Sequence, residues 1–141
     1  MGWDKTTGAI VERMATEGAG VPNTTPGGGL TSDDAGLIFF ATGNGFASQL
    51  STIPVNGHNP PTSLEEAAVH MTINDDGSLT IIGFFMPWEK TQLDGADRDL
   101  GTSLLEMLPS QFACGDIKRI GVVTRKSGKT YFLNLDDLGE Y

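Results

Sequence analysis

Apolar positions along the chain fall into short runs, several alternating with polar residues and most bounded by Gly, Asn, Asp or Pro. Runs of that kind predict strands joined by turns. The clearest case is "AAVHMTINDDGSLTIIGFF", where two runs flank Asn74-Asp75-Asp76-Gly77. Asp-Gly supplies the positive φ that a tight turn requires, so a hairpin is predicted. A second hairpin is predicted from a strand over Ile120 to Thr124, a turn over Arg125 to Gly128 and a strand over Thr130 to Leu135. The uninterrupted apolar run from Leu37 to Thr42 predicts a strand covered on both faces. A further strand is predicted from Ile10 to Met14, after a turn at Asp4 to Gly8.

Between these runs lie two long loops, "EGAGVPNTTPGGGLTSDDAG" and the stretch from Phe46 to Ser63 with its paired prolines. Loops of that length in a compact domain tend to be functional. "TSLLEML", Thr102 to Leu108, suits either two helical turns capped by Thr102 or Ser103, or irregular core. "SLEEAA" suits a helix start or a solvated loop end. Phe39, Phe40, Phe84, Phe85 and Trp88 read as core. His70 reads as a strand residue, and His58, beside prolines, as exposed.

Composition supports the β reading. The 141 residues fit one domain, and 19 glycines with only 19% charged residues suit many short strands joined by turns. The net charge of −9 argues against a nucleic-acid partner and against anionic membrane surfaces, since both need a basic patch. Cys114 is the single cysteine, so it forms no internal disulfide and reads as a small apolar filler. No apolar run reaches transmembrane length and "MGWDKTTGA" lacks the apolar centre of a signal peptide, which leaves the compartment open.

The densest candidate chemistry is "DGADRDLGTS", where Asp94, Asp97, Arg98 and Asp99 crowd ahead of Gly101. Such a cluster is either a solvated loop or the support of a carboxylate aimed into a site. Asn44, between two glycines, suits a turn residue in the left-handed region as well as a ligand. Asp99 equally suits a cap on the segment that follows it.

"DKTTGAIV", "NDDGSLTI" and "RKSGKTYFLNL" each place a polar turn with Gly before a strand, a weak internal repeat. In this setting "WDKTTGAIVE" resembles the turn-and-strand signature of pyrroloquinoline quinone (PQQ)-type β-propellers, and "KSGKTYFLNLDDLG" resembles another blade's closing strands. "FFATGNG" is similar to the Thr-Gly-Asn segment of quinoprotein alcohol dehydrogenases. "DRDLGTS" is similar to their downstream Asp-x-Asp-aromatic-Gly segment, with Leu100 at the aromatic position.

The resemblance implies an all-β fold whose antiparallel sheets form a partial PQQ-type β-propeller of about two to three blades. Residues 1–141 would then be a single partial-propeller domain, a fragment of a longer protein. It further implies oxidation of a small-molecule alcohol with PQQ and calcium, in the full-length context. Asn44 would be an amide-oxygen ligand of the calcium, and Asp99 both a metal ligand and the general base toward the alcohol. Asp97 or Arg98 would orient Asp99, with Asp94 facing solvent. Calcium takes several such oxygens and polarises a quinone carbonyl, while a neighbouring carboxylate accepts the hydroxyl proton. The alternative is a cofactor-free propeller scaffold or binding module. In either case a partial wheel leaves apolar faces and strand edges open to self-association.

Overall fold

A computed structural model describes residues 2–3, 5–7, 10–12, 29–43 and 64–139. Asn44, His58 and the loop from Phe46 to Ser63 lie outside the described residues. The chain is all-β, with nine strands in three antiparallel sheets among the described residues. At the N-terminal end β1 (Gly2–Trp3) pairs with β2 (Ile10–Glu12).

The central sheet runs β3-β4-β5-β6, from β3 (Thr31–Ser32), β4 (Leu37–Ala41), β5 (Ala68–Ile73) and β6 (Leu79–Phe85). Its β5–β6 hairpin is the one expected from Asn74 to Gly77. Gly77 takes φ 84°, Asp76 Oδ1 accepts the Ser78 amide at 2.9 Å, and the Asn74 side-chain amide donates to Ser78 Oγ and Thr80 Oγ1. A three-stranded sheet runs β7-β8-β9, from β7 (Glu106–Met107), β8 (Ile120–Thr124) and β9 (Thr130–Asn134). Its β8–β9 turn closes at Gly128, φ 85°. A short helix, α1 (Lys90–Gly95), follows β6.

Side chains on a strand alternate between faces, and β4 uses both. Leu37, Phe39 and Ala41 point to one side, where with Ala68 they meet Val123, Leu133 and Leu135 of the three-stranded sheet and its C-terminal extension. Leu100, Leu105 and Leu138 fill the gaps in this contact. Ile38 and Phe40 point to the other side and join a second apolar cluster around Leu64, Val69, Met71, Phe84 and Met86. The predicted coverage of both faces is therefore observed. No helix among the described residues is long and apolar enough to cross a membrane.

Several expectations are corrected. "TSLLEML" is not two helical turns: a single 3-10 turn spans Leu100–Thr102, and the chain then extends into β7. Tertiary bonds explain this, because Leu105 is fully buried between the sheets and Ser103 Oγ accepts the Thr124 amide at 2.7 Å. Helix α1, by contrast, arises where no helix was expected, at a sequence too short to show a helical period. It starts after Pro87, whose carbonyl accepts the Lys90 amide, and is anchored by buried Lys90 and Leu93. Trp88 is 72% exposed rather than core, and Cys114 lies at the surface in a bridge with Ile117 rather than filling the interior.

Candidate functional site

The end of β4, the "EE" pair before β5 and the "DLG" turn after α1 converge on one buried junction. Thr42 carries β4 past its last strand residue. Its amide donates to Ala67 O at 2.8 Å, its hydroxyl donates to Leu64 O at 2.6 Å, and the same hydroxyl accepts the Ala67 amide at 3.0 Å. Gly43 O accepts the Glu66 amide at 3.0 Å. Glu66 sits in the left-handed region, φ 50°, with no exposed surface. That unusual backbone lets its carboxylate reach across, and Oε2 accepts the Leu100 amide at 2.5 Å. Gly101 then donates its amide to Thr42 O at 3.0 Å.

Beside this junction Glu65 and Lys90 form an ion pair, Nζ to Oε2 at 3.3 Å, with side chains 3% and 0% exposed. A charge so deep in a protein persists only when paired and hydrogen-bonded. "SLEEAA" is thus neither a helix start nor a solvated loop end. The available signal was two carboxylates directly preceding an apolar strand run, a place where solvation is hard to arrange.

Asp99 opens the 3-10 turn, and its carbonyl accepts both the Thr102 hydroxyl at 2.8 Å and the Lys126 amide at 3.0 Å. Its side chain does not cap that turn. The carboxylate is 14% exposed and faces the Lys126 ammonium at 3.8 Å. Lys126 also donates to Asp97 Oδ2 at 2.6 Å, and this bond, reinforced by the charges of Asp97 and Asp99, raises the lysine above its ordinary value. Asp97 and Asp99 thus share one lysine. Arg98 is exposed, with its amide bound to Leu93 O. The side chain of Asp94 lies outside the described set.

The structure thus brings the "TG" of "FFATGNG" against the "LG" of "DRDLGTS". Asp99 offers one carboxylate at the rim of that contact. Among the described residues no three His, Cys, Asp or Glu side chains gather as a metal-binding group. Calcium takes about six to eight oxygens, so Asp99 would need further oxygen partners; Asn44 lies outside the described residues.

Comparison of the chain with protein-family models, with curated proteins and with solved structures finds no match.

Proposed function

We propose that the chain is a sector of a quinoprotein-like β-propeller that presents Asn44 and Asp99 to a shared site for PQQ, calcium and a small-molecule alcohol. The supporting observation is the Gly101-to-Thr42 backbone bond of 3.0 Å. Asn44 follows Thr42 by two residues and Asp99 precedes Gly101 by two, so one clasp ties both segments together. When bound, the quinone would accept hydride while calcium polarises its carbonyl. Asp99 would receive the hydroxyl proton, with Lys126 as a fixed positive charge beside it. Enclosure from water would come from further sheets of the wheel.

Calorimetric titration with calcium and PQQ, singly and together, tests this on the chain within its full open reading frame. Coupled uptake is expected. Asn44→Ala should weaken metal-dependent uptake, and Asp99→Asn should spare uptake but abolish turnover. Absence of any coupled uptake in the full-length protein defeats the reading.

A second reading, a cofactor-free scaffold, draws on a different observation. Thr42 and Glu66 are engaged in internal bonds that close the junction, as expected of a purely structural clasp. On that reading Asn44→Ala and Asp99→Asn both have small effects, confined to stability.

A further inference from the structure

His70 stands on β5 directly across from Phe39 on β4, on the face that packs against the three-stranded sheet. The imidazole lies nearly flat on the Phe39 ring, centroids 4.3 Å apart and planes 24° apart, and is 6% exposed. Its opposite neighbour on β6 is Gly83. Nε2 is buried and has no hydrogen-bond partner among the described residues.

Above this stack sits Arg119, the residue preceding β8, with its guanidinium 5.8 Å from the Phe39 centroid. It binds Asp33 Oδ2 at 3.1 Å, reaching the turn before β4, and Asp136 Oδ1 at 2.5 Å and 2.6 Å, just beyond β9. Arg119 therefore ties the turn before β4 to the segment beyond β9, beside the Phe39 ring on which His70 stacks. The charged groups acting on the imidazole are one cation, Arg119, and two carboxylates, Asp33 and Asp136. Phe39 covers one face of the ring and Gly83 lies beside it, with a Leu138 methyl close to Gly83.

We propose that the Phe39–His70 stack beneath the Arg119 clasp is an acid-released latch, in which proton uptake by His70 loosens the packing of the four-stranded sheet on the three-stranded sheet. Neutral imidazole tolerates a bare nitrogen in an apolar slot at modest cost. Imidazolium does not, because it needs two acceptors, carries a buried charge and faces a guanidinium. The two carboxylates are already held by Arg119, so they offset this only in part. Burial first, and then the Arg119 charge, move His70 below its ordinary value of 6.5, against the opposing pull of Asp33 and Asp136. The open form, with solvated imidazole, takes the proton first as pH falls.

Two measurements on the intact chain test the latch. Proton NMR titration of the His70 ring, with His58→Gln as an assignment control, should place its midpoint below 6.5. Amide hydrogen exchange across β4, β5, β8 and β9 should show the opening equilibrium rising by up to about tenfold per pH unit below that ordinary value, until His70 itself titrates. His70→Phe, which keeps the stack and removes the proton site, should flatten that rise. A midpoint at or above 6.5, or a His70→Phe protein with undiminished acid opening, overturns the proposal. Should His70→Phe fail to fold, the midpoint in the unsubstituted chain decides alone.

Discussion

Gly101 lies so close to Thr42 that a β-carbon added to it would stand 2.8 Å from the Thr42 carbonyl carbon and 2.9 Å from its oxygen. Backbone preference does not explain the glycine, since its φ of −70° suits any residue. Close approach does. Backbone atoms on both sides cannot give way, so Gly101→Ala should destabilise the fold by about 1–3 kcal/mol, read by chemical denaturation. A variant as stable as the original would remove the clasp from the account of this junction.

Gly121 provides the contrast. A β-carbon there would meet Leu135 Cδ2 at 2.5 Å and Cγ at 3.1 Å, which are side-chain atoms. Leu135 can change rotamer, although it is fully buried. Gly121→Ala is therefore expected to be destabilising by less than Gly101→Ala. The reverse order in matched melts would show that core packing, not backbone contact, limits this fold.

Glu66 tests whether the junction depends on a carboxylate or only on an acceptor. Glu66→Ala strands the buried Leu100 amide and should cost about 1–3 kcal/mol. Glu66→Gln retains an acceptor oxygen and should recover part of that loss. Equal losses from both substitutions would show that the negative charge is what the site requires.

The Glu65–Lys90 pair calls for a double-mutant cycle. Removing the lysine takes the ion-pair partner from a buried carboxylate, so Lys90→Met alone should cost up to about 3–5 kcal/mol. Lys90→Met combined with Glu65→Leu should cost less than the lysine change alone. Additive losses would mean that the pair is not coupled.

Acid should act at a second, lower stage through Asp33. Burial raises its carboxyl, but the Ala35 and Leu37 amides and the Arg119 charge outweigh this and hold it below its ordinary 3.8. A carboxyl lowered on folding contributes stability that is present above that value and is lost as pH falls through the folded one. Denaturation curves should therefore weaken again below pH 3.8, and Asp33→Asn should shrink that limb and, by removing a carboxylate that favours the charged imidazole, move the His70 midpoint further down.

The strands around the two hairpins were legible because their signals are local: alternation sets the faces of β5, β8 and β9, and the Asp-Gly and Ser-Gly turns set the reversals. Both faces of β4 could be foreseen because an unbroken apolar run has no polar side to leave in water. The fate of "TSLLEML" was not legible, since its pattern is too short to decide between a helix and irregular core. Only burial of Leu105 and the Ser103-to-Thr124 bond choose between them.

What the chain's own pattern determined, then, is the all-β character, the main turns and a charged cluster from Asp94 to Asp99, within which Asp99 was singled out by the family resemblance alone. Tertiary structure alone decided that Glu65 and Glu66 are buried, that Lys126 stands between Asp97 and Asp99, and that His70 stacks on the Phe39 ring that Arg119 approaches. The reason is distance along the chain. Side-chain alternation is a property of neighbours two residues apart, whereas Glu66 meets Leu100, and Asp33 meets Arg119, only after separate sheets have packed.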